Sequence, residues 1–182
     1  MRRSIFDVPM FGPYQVENWS KDLKKDLLTR FSNSNHHMDG CVITDYQHGG
    51  VVNFPDYKNF VLEILEPSLR EFSDDIEIPL ENVLIYDMWY ETSNEHGHHN
   101  IHTHGAIGYS ACFYVDFDSA IHEGTVFLSP LHNFITGLVN NYQVKDTQEG
   151  SVIFFPSCVM HSAPCNDNKK SRTVCSFNMK FQ

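Results

Sequence analysis

Residues 150–181 read GSVIFFPSCVMHSAPCNDNKKSRTVCSFNMKF and contain the pattern that decides the fold of this chain. Two apolar runs, at 151–155 and 173–181, are rich in β-branched and aromatic residues, which favour β-strands. A polar segment containing proline lies between them and predicts a break in the sheet, because proline cannot donate a backbone hydrogen bond. His161 and Arg172 lie at the margins of these strands, where binding residues are commonly found.

The same texture extends towards the N-terminus as far as residue 83. Four more runs have the composition of strands, and short gaps containing Gly, Asn, Asp or Pro separate them: 83–90, 107–115, 125–128 and 137–142. Short strands spaced in this way are typical of an all-β sandwich or barrel. We therefore predict a mainly β fold with helices packed outside it.

The first third of the chain has a helical pattern instead. Apolar residues spaced four apart predict a helix over 19–31, and a second helical pattern begins near residue 56. Pro67 should end or kink the second helix, because it lacks an N–H group and clashes with the preceding turn. Two short strand-like runs, at 41–44 and 51–54, lie between the helices.

Length and composition indicate one globular domain. The 182 residues are 41% hydrophobic and 20% charged, which is ordinary for a folded domain able to bury its own core. The helical pattern gives way to strand-like runs near residue 80, and no linker-like or low-complexity stretch separates the two regions. We expect 1–182 to form a single domain, in which 1–80 supply helical support and short strands and 81–182 supply the β-barrel core.

Charge, hydropathy and cysteine content bear on the partners and the cellular setting of the protein. The formal net charge of −10 disfavours nucleic acid, because an acidic surface repels phosphate backbones. The sequence contains no apolar run of 18 residues, so we expect no membrane span. Five cysteines without a C-x-x-C pair indicate free thiols in a reducing, cytoplasmic setting.

A histidine-rich segment, EHGHHNIHTH at 95–104, lies between two predicted strands. His102 and His104 are separated by one residue, and in an extended backbone such residues project to the same face. Two neutral imidazoles can therefore bind one metal ion, and His161 is the strongest candidate for a third ligand. Three facial ligands would leave three positions of an octahedral iron open.

The other histidines and Arg172 have alternative interpretations. The histidine-rich loop could simply be solvated, and one of His96, His98 and His99 could replace a proposed ligand. The remaining histidines, at 36, 37, 48, 122 and 132, are interpreted as surface or structural residues. If the segments carrying His161 and Arg172 pair as neighbouring strands, the guanidinium enters the same cavity and needs an anionic partner, such as a carboxylate. Otherwise Arg172 is a surface residue beside two lysines.

Several motifs together resemble the Fe(II)/2-oxoglutarate oxygenases, especially small prolyl 4-hydroxylase-like members from bacteria and phages. They are HTH at 102–104, EGTVF at 123–127, GSVIFFP at 150–156, His161 and RTVCSFN at 172–178. The resemblance covers about 83–181 and implies a double-stranded β-helix, the jelly-roll or cupin-like barrel. If the protein is viral, as the resemblance to phage members allows, the cytoplasmic setting indicated by the cysteines would be that of the host cell.

The resemblance implies the roles of individual residues. His102 corresponds to the first iron ligand, His161 to the distal ligand, and Arg172 to the residue that binds the far carboxylate of 2-oxoglutarate. The family pattern is H-x-D/E, so His104 stands where a carboxylate is usual; we retain His104 as a ligand. Glu95 and Asp116 are reserves, and Glu123 is a weaker one.

The implied reaction is hydroxylation of an aliphatic C–H bond, coupled to conversion of 2-oxoglutarate and dioxygen into succinate and carbon dioxide. Tyr90 and Tyr114 are candidates for hydrogen bonds to the cosubstrate. The substrate could be a peptidyl proline, another protein side chain or a small molecule.

Two other functions remain open from the sequence. A cupin-type metalloprotein without 2-oxoglutarate would share the H-x-H motif, but Gly108 and Tyr109 stand where its glutamate is expected, and Arg172 would have no role. A non-enzymatic jelly-roll protein for binding or structure would make the histidines incidental.

Overall fold

The computed structural model describes residues 8–47 and 55–182. Its two α-helices in these ranges are α1 (Lys21–Asn33) and α2 (Lys58–Asp75), and a single 3₁₀ turn covers Leu80–Asn82. The strands in the same ranges are β1 (Phe11–Gln15), β2 (His37–Asp39), β3 (Val42–Thr44), β4 (Val83–Ser93), β5 (His99–His102), β6 (Tyr109–Asp116), β7 (Val126–His132), β8 (Val139–Gln143), β9 (Ser151–Pro156), β10 (His161–Ala163) and β11 (Arg172–Phe181).

The strands form two antiparallel sheets. The large sheet has the order β1-β9-β6-β11-β4-β3-β2, and the small sheet has the order β5-β10-β7-β8. Side chains of β6 and β9 in the large sheet pack against Phe127 of the small sheet. The mainly β architecture with flanking helices is therefore confirmed.

The helices cover the outer face of the large sheet. Ser20 caps α1, since its hydroxyl accepts a hydrogen bond from the Leu23 N–H at 3.2 Å. The apolar stripe of each helix packs into one core with the sheet. The helices contribute Leu27, Phe31, Val61, Leu65 and Phe72, and strands β6, β9 and β11 contribute Phe113, Phe154 and Phe177. Each such buried side chain stabilises the fold by about 1.5–3 kcal/mol.

Pro67 was predicted either to end or to kink α2, and it does not end the helix. The helix continues for eight residues beyond it, to Asp75. The lost backbone hydrogen bond is offset because Leu69 and Phe72, beyond the proline, are buried against the sheet.

The predicted strands correspond closely to the observed ones in the described ranges. The run predicted at 107–115 begins two residues later, at Tyr109, because Gly108 adopts a φ of +92°. A Cβ there would lie 2.0 Å from the Met179 carbonyl oxygen, so only glycine fits this turn. The run predicted at 51–54 lies outside the described residues.

Neither described helix is long and apolar enough to cross a membrane.

Candidate metal centre

The two sheets bring three histidines together at one end of the fold. His102 ends β5 and faces His161, its register partner on β10. His104 follows β5, where its backbone N–H donates to the Ser157 carbonyl at 2.9 Å. One ring nitrogen from each histidine lies within 4.8 Å of the others, so the three side chains could hold one metal ion.

Each of these rings is oriented by an oxygen acceptor behind it. The Nδ1 atom of His102 lies 2.7 Å from the Asn100 carbonyl, that of His161 lies 2.9 Å from the Val159 carbonyl, and that of His104 lies 2.8 Å from Asn178 Oδ1. A carbonyl oxygen can only accept, so each Nδ1 carries the ring proton. The lone pair of each Nε2 is then free for a metal ion, which is the usual arrangement of histidine ligands.

The chemistry of this donor set suits a cation. The Nε2 atoms of His102 and His104 lie 3.0 Å apart, and two lone pairs at that distance repel unless they share a positive charge. Burial lowers the pKa of His104 to about 4 and that of His161 to about 3, and it also lowers the pKa of His102. All three imidazoles are therefore neutral near pH 7, as metal ligands must be.

Arg172 borders the same small cavity, of about 40 Å³, as the three histidines. The residue is 4% exposed, and its guanidinium donates to the Glu123 carbonyl at 2.6 Å and to the Pro164 carbonyl at 3.1 Å. In the part of the chain that the structure describes, no carboxylate makes an ion pair with it. Among the described residues, this buried positive charge is therefore not paired directly with a carboxylate.

The strand pairing used to predict this position of Arg172 was wrong. His161 lies on β10 of the small sheet, whereas Arg172 opens β11 of the large sheet and pairs with Ser93 of β4. The two residues meet because the sheets face each other, so packing between sheets, rather than pairing within one sheet, places them at one cavity.

Tyr90 and Tyr114 do not border this cavity. Tyr90 points to the helix-covered face of β4, where its ring stacks on Phe31 at 4.7 Å. The hydroxyl of Tyr114 lies 2.9 Å from Thr125 Oγ1 and accepts from the Thr125 N–H at 3.1 Å. Tyr114 therefore lies one layer behind the cavity, where it fixes a residue of the wall.

The reserve carboxylates lie elsewhere, and a different acid borders the cavity. Asp116 binds Lys24 at 3.0 Å, Glu95 is exposed in a turn, and the backbone rather than the side chain of Glu123 contacts Arg172. Glu91, which sequence analysis missed, lines the cavity from β4. The available signal was strand alternation, since residues 89, 91 and 93 share one face.

Glu91 acts on the histidine cluster through His99. Its carboxylate accepts from His99 Nδ1 at 2.9 Å, and this hydrogen bond raises the pKa of His99. The His99 ring stacks on His102 with 4.1 Å between centroids. The Glu91–His99 pair thus packs against one face of the His102 ring, a candidate metal ligand.

A larger cleft adjoins the cavity. It has a volume of about 400 Å³ and is lined by residues of two segments, 39–46 and 96–102, together with Glu91. His102 borders both spaces. A molecule bound in this cleft would lie next to the three histidines.

The comparisons with known proteins point in one direction. A family model described as "Putative 2OG-Fe(II) oxygenase" matches residues 87–178, a range that contains the three histidines and Arg172. Among curated proteins, none matches the sequence.

Solved structures of such oxygenases share the fold. An oxidoreductase of the 2OG-Fe(II) oxygenase family from Burkholderia pseudomallei has a TM-score of 0.64 at 12% identity, covering 95% of this chain and 84% of its own. HygX from Streptomyces hygroscopicus, solved with nickel, 2-oxoglutarate and hygromycin B, has a TM-score of 0.62 at 10% identity, with 96% and 83% covered. The viral collagen prolyl hydroxylase of Paramecium bursaria Chlorella virus-1 has 0.55 at 10% identity, with 96% of each chain covered. The likeness confirms the double-stranded β-helix.

Proposed function

Since the chain belongs to the family of 2-oxoglutarate- and Fe(II)-dependent oxygenases, we propose that His102, His104 and His161 hold its iron and that Arg172 binds its 2-oxoglutarate. The observation that carries the ligand assignment is the shared orientation of the three rings. Each imidazole donates a hydrogen bond from Nδ1–H to an oxygen behind it, which leaves three Nε2 lone pairs for one cation.

The assignment of Arg172 is supported by its unbalanced charge. A buried guanidinium whose hydrogen bonds, among the described residues, go to carbonyl oxygens gains a charge-assisted, bidentate partner when a carboxylate enters the cavity. The distal carboxylate of 2-oxoglutarate has the required charge and planar shape, and its other end would then lie towards the histidines.

When bound, Fe(II) supplies the dioxygen chemistry that couples decarboxylation of 2-oxoglutarate to hydroxylation of an aliphatic C–H bond. The protein's own contribution is orientation and exclusion of water. Phe155 and Phe127 pack against His161, with ring centroids 4.7 and 6.0 Å away, and thereby keep that side of the centre dry. Water exclusion strengthens the attraction between Arg172 and a carboxylate.

We place the substrate in the cleft formed by 39–46 and 96–102, because it opens beside His102. Its volume suits a small molecule or one peptide side chain with its flanking backbone.

The helices share a core with the large sheet. We therefore infer that 1–182 act as a single oxygenase domain.

The test is anaerobic titration of the Fe(II)-loaded protein with 2-oxoglutarate, followed by the visible charge-transfer band of the chelate. We expect the band in the wild type and a much higher cosubstrate requirement in Arg172→Gln, which retains a polar donor but loses the charge and the two-pronged guanidinium. Lys169→Ala, which removes an exposed neighbouring cation, should behave as wild type. Iron binding without a band would contradict the 2-oxoglutarate assignment, and an unchanged requirement in Arg172→Gln would contradict the role of Arg172.

A further inference from the structure

A second group of side chains that could bind a metal lies where two loops meet, apart from the three histidines. His96, Cys165 and Asp167 each offer one ligand atom, and these atoms lie within 4.8 Å of one another. All three residues are exposed, so an ion could reach them directly from solvent. An imidazole, a thiolate and a carboxylate form a mixed donor set that suits zinc or a similar divalent ion.

The backbone holds these loops in fixed register. The His96 N–H donates to the Asn166 carbonyl at 2.7 Å, and the Asn166 N–H donates to the Gly97 carbonyl at 2.9 Å. The Asn166 side chain is 3% exposed and donates to the Ser93 carbonyl at 3.0 Å. His96 and the residues on either side of Asn166 therefore face each other on a rigid frame, which lowers the entropy cost of binding an ion.

A second thiol belongs to the same neighbourhood. The Cys41 carbonyl accepts from the Asn94 N–H at 3.0 Å, and a Cβ on Gly97 would lie 2.8 Å from that carbonyl oxygen. The Cys165 thiol donates a hydrogen bond to the Asp167 carboxylate, and Cys41 lies near enough to interact electrostatically with Cys165. The proton held between Cys165 and Asp167 is the one that a metal ion would replace.

We propose that His96, Cys165 and Asp167 form a second metal site, for zinc or another borderline-soft divalent ion. Binding exchanges the thiol proton for a thiolate–metal bond and releases that proton to solvent, without any change of oxidation state. The site would fasten the loops at 94–97 and 164–167 to each other.

The position of this site gives it a consequence for the cavity. The carbonyl of Pro164, next to Cys165, accepts from the Arg172 guanidinium at 3.1 Å. An ion bound to Cys165 would therefore stabilise a loop that holds Arg172. The cluster does not border the cavity of the three histidines, although His96 also lines the adjoining cleft, so we assign the ion a structural role beside the proposed substrate site.

The experiment separates the two sites by variants and by spectrum. Reduced protein, kept in a non-thiol reductant, is dialysed against Zn(II) for stoichiometry and titrated with Co(II) for the near-ultraviolet thiolate charge-transfer band. We expect the band in wild type and in His104→Ala, which disables the other site, and its loss in Cys165→Ser. Cys158→Ser, which removes another exposed thiol, should retain it.

Zinc affinity gives the second readout. In the His104→Ala background we expect one equivalent of zinc, with affinity reduced by more than about 100-fold in Cys165→Ser, because loss of a ligand exceeds the 10- to 100-fold cost of an outer-shell change. His96→Ala, which changes a different loop, should weaken it in the same direction. A band that persists without Cys165, or its absence from His104→Ala, would overturn the proposal while leaving the oxygenase assignment intact.

Discussion

The two sheets differ in burial and in chemistry. In the large sheet, β6 and β9 are buried along almost their whole length, because helices cover one face and the small sheet covers the other. In the small sheet, all of β8 is exposed, and β5 and β10 are only four and three residues long. Yet β5 and β10 supply two of the three histidines. The small sheet thus supplies two candidate metal ligands, the large sheet supplies Arg172 and most of the buried core, and the site depends on the packing of one sheet on the other.

The largest effect should come from the small sheet. His161→Ala removes a proposed ligand, so we expect turnover of 2-oxoglutarate to fall by more than about 100-fold, beyond the loss caused by outer-shell changes. His132→Ala, an exposed histidine on β7 of the same sheet, is the matched control. Succinate formation measures both variants. Near-normal activity in His161→Ala would remove this histidine from the metal centre.

The large sheet should respond in stability. Phe154 of β9 is fully buried and stacks on Phe72 of α2 at 4.4 Å, so Phe154→Ala should lower the free energy of unfolding by about 3–5 kcal/mol. The same substitution at Phe134, which is 91% exposed between β7 and β8, should change it by less than about 0.5 kcal/mol. Urea unfolding measures both. Equal losses would mean that the exposed hairpin between β7 and β8 also contributes to the core.

The same division explains what the sequence could predict. Long apolar runs such as 151–156 are recognisable because burial on both faces requires continuous apolar residues. The short strand β10 has no such pattern, since its three residues are held by pairing with β5 and β7 rather than by their own composition.

The candidate site shows a similar limit. The H-x-H spacing and His161 were available from sequence and a family resemblance, whereas the acceptors behind the rings were not. Asn178 lies 74 residues from His104. The pairing of β6 with β11 sets Asn178 opposite Ser110, and the segment after β5, held by a hydrogen bond to Ser157, brings the His104 ring to it. Glu91 was overlooked because its contribution depends on which face of β4 meets the small sheet.

A smaller effect should follow from loosening one ligand without removing it. Asn178 Oδ1 accepts from His104 Nδ1 and from Ser110 Oγ, both at 2.8 Å. Asn178→Ala leaves the ring free to rotate, so we expect iron affinity to fall by about 10- to 100-fold. Asn178→Asp retains an oxygen acceptor and should restore most of the affinity. If Asn178→Ala binds iron as wild type does, the orientation of His104 does not depend on this residue.

The smallest effect is a pH dependence in the large-sheet core. Burial raises the pKa of Asp45, although its carboxylate accepts from the Tyr90 N–H at 2.9 Å and the Tyr57 hydroxyl at 2.8 Å. Because the folded pKa is above the unfolded value of 3.8, the protonated carboxyl favours the folded state at low pH. That contribution is lost as the pH rises through the folded pKa.

Asp45→Asn cannot ionise, so it isolates this contribution. We expect the stability of the wild type relative to Asp45→Asn to be greatest below pH 3.8 and to decrease as the pH rises through the raised pKa. Urea unfolding of both proteins across this range measures the difference. A stability difference that increases with pH would mean that the hydrogen bonds to the carboxylate outweigh its burial, and that the large sheet contains a favourable buried charge of its own.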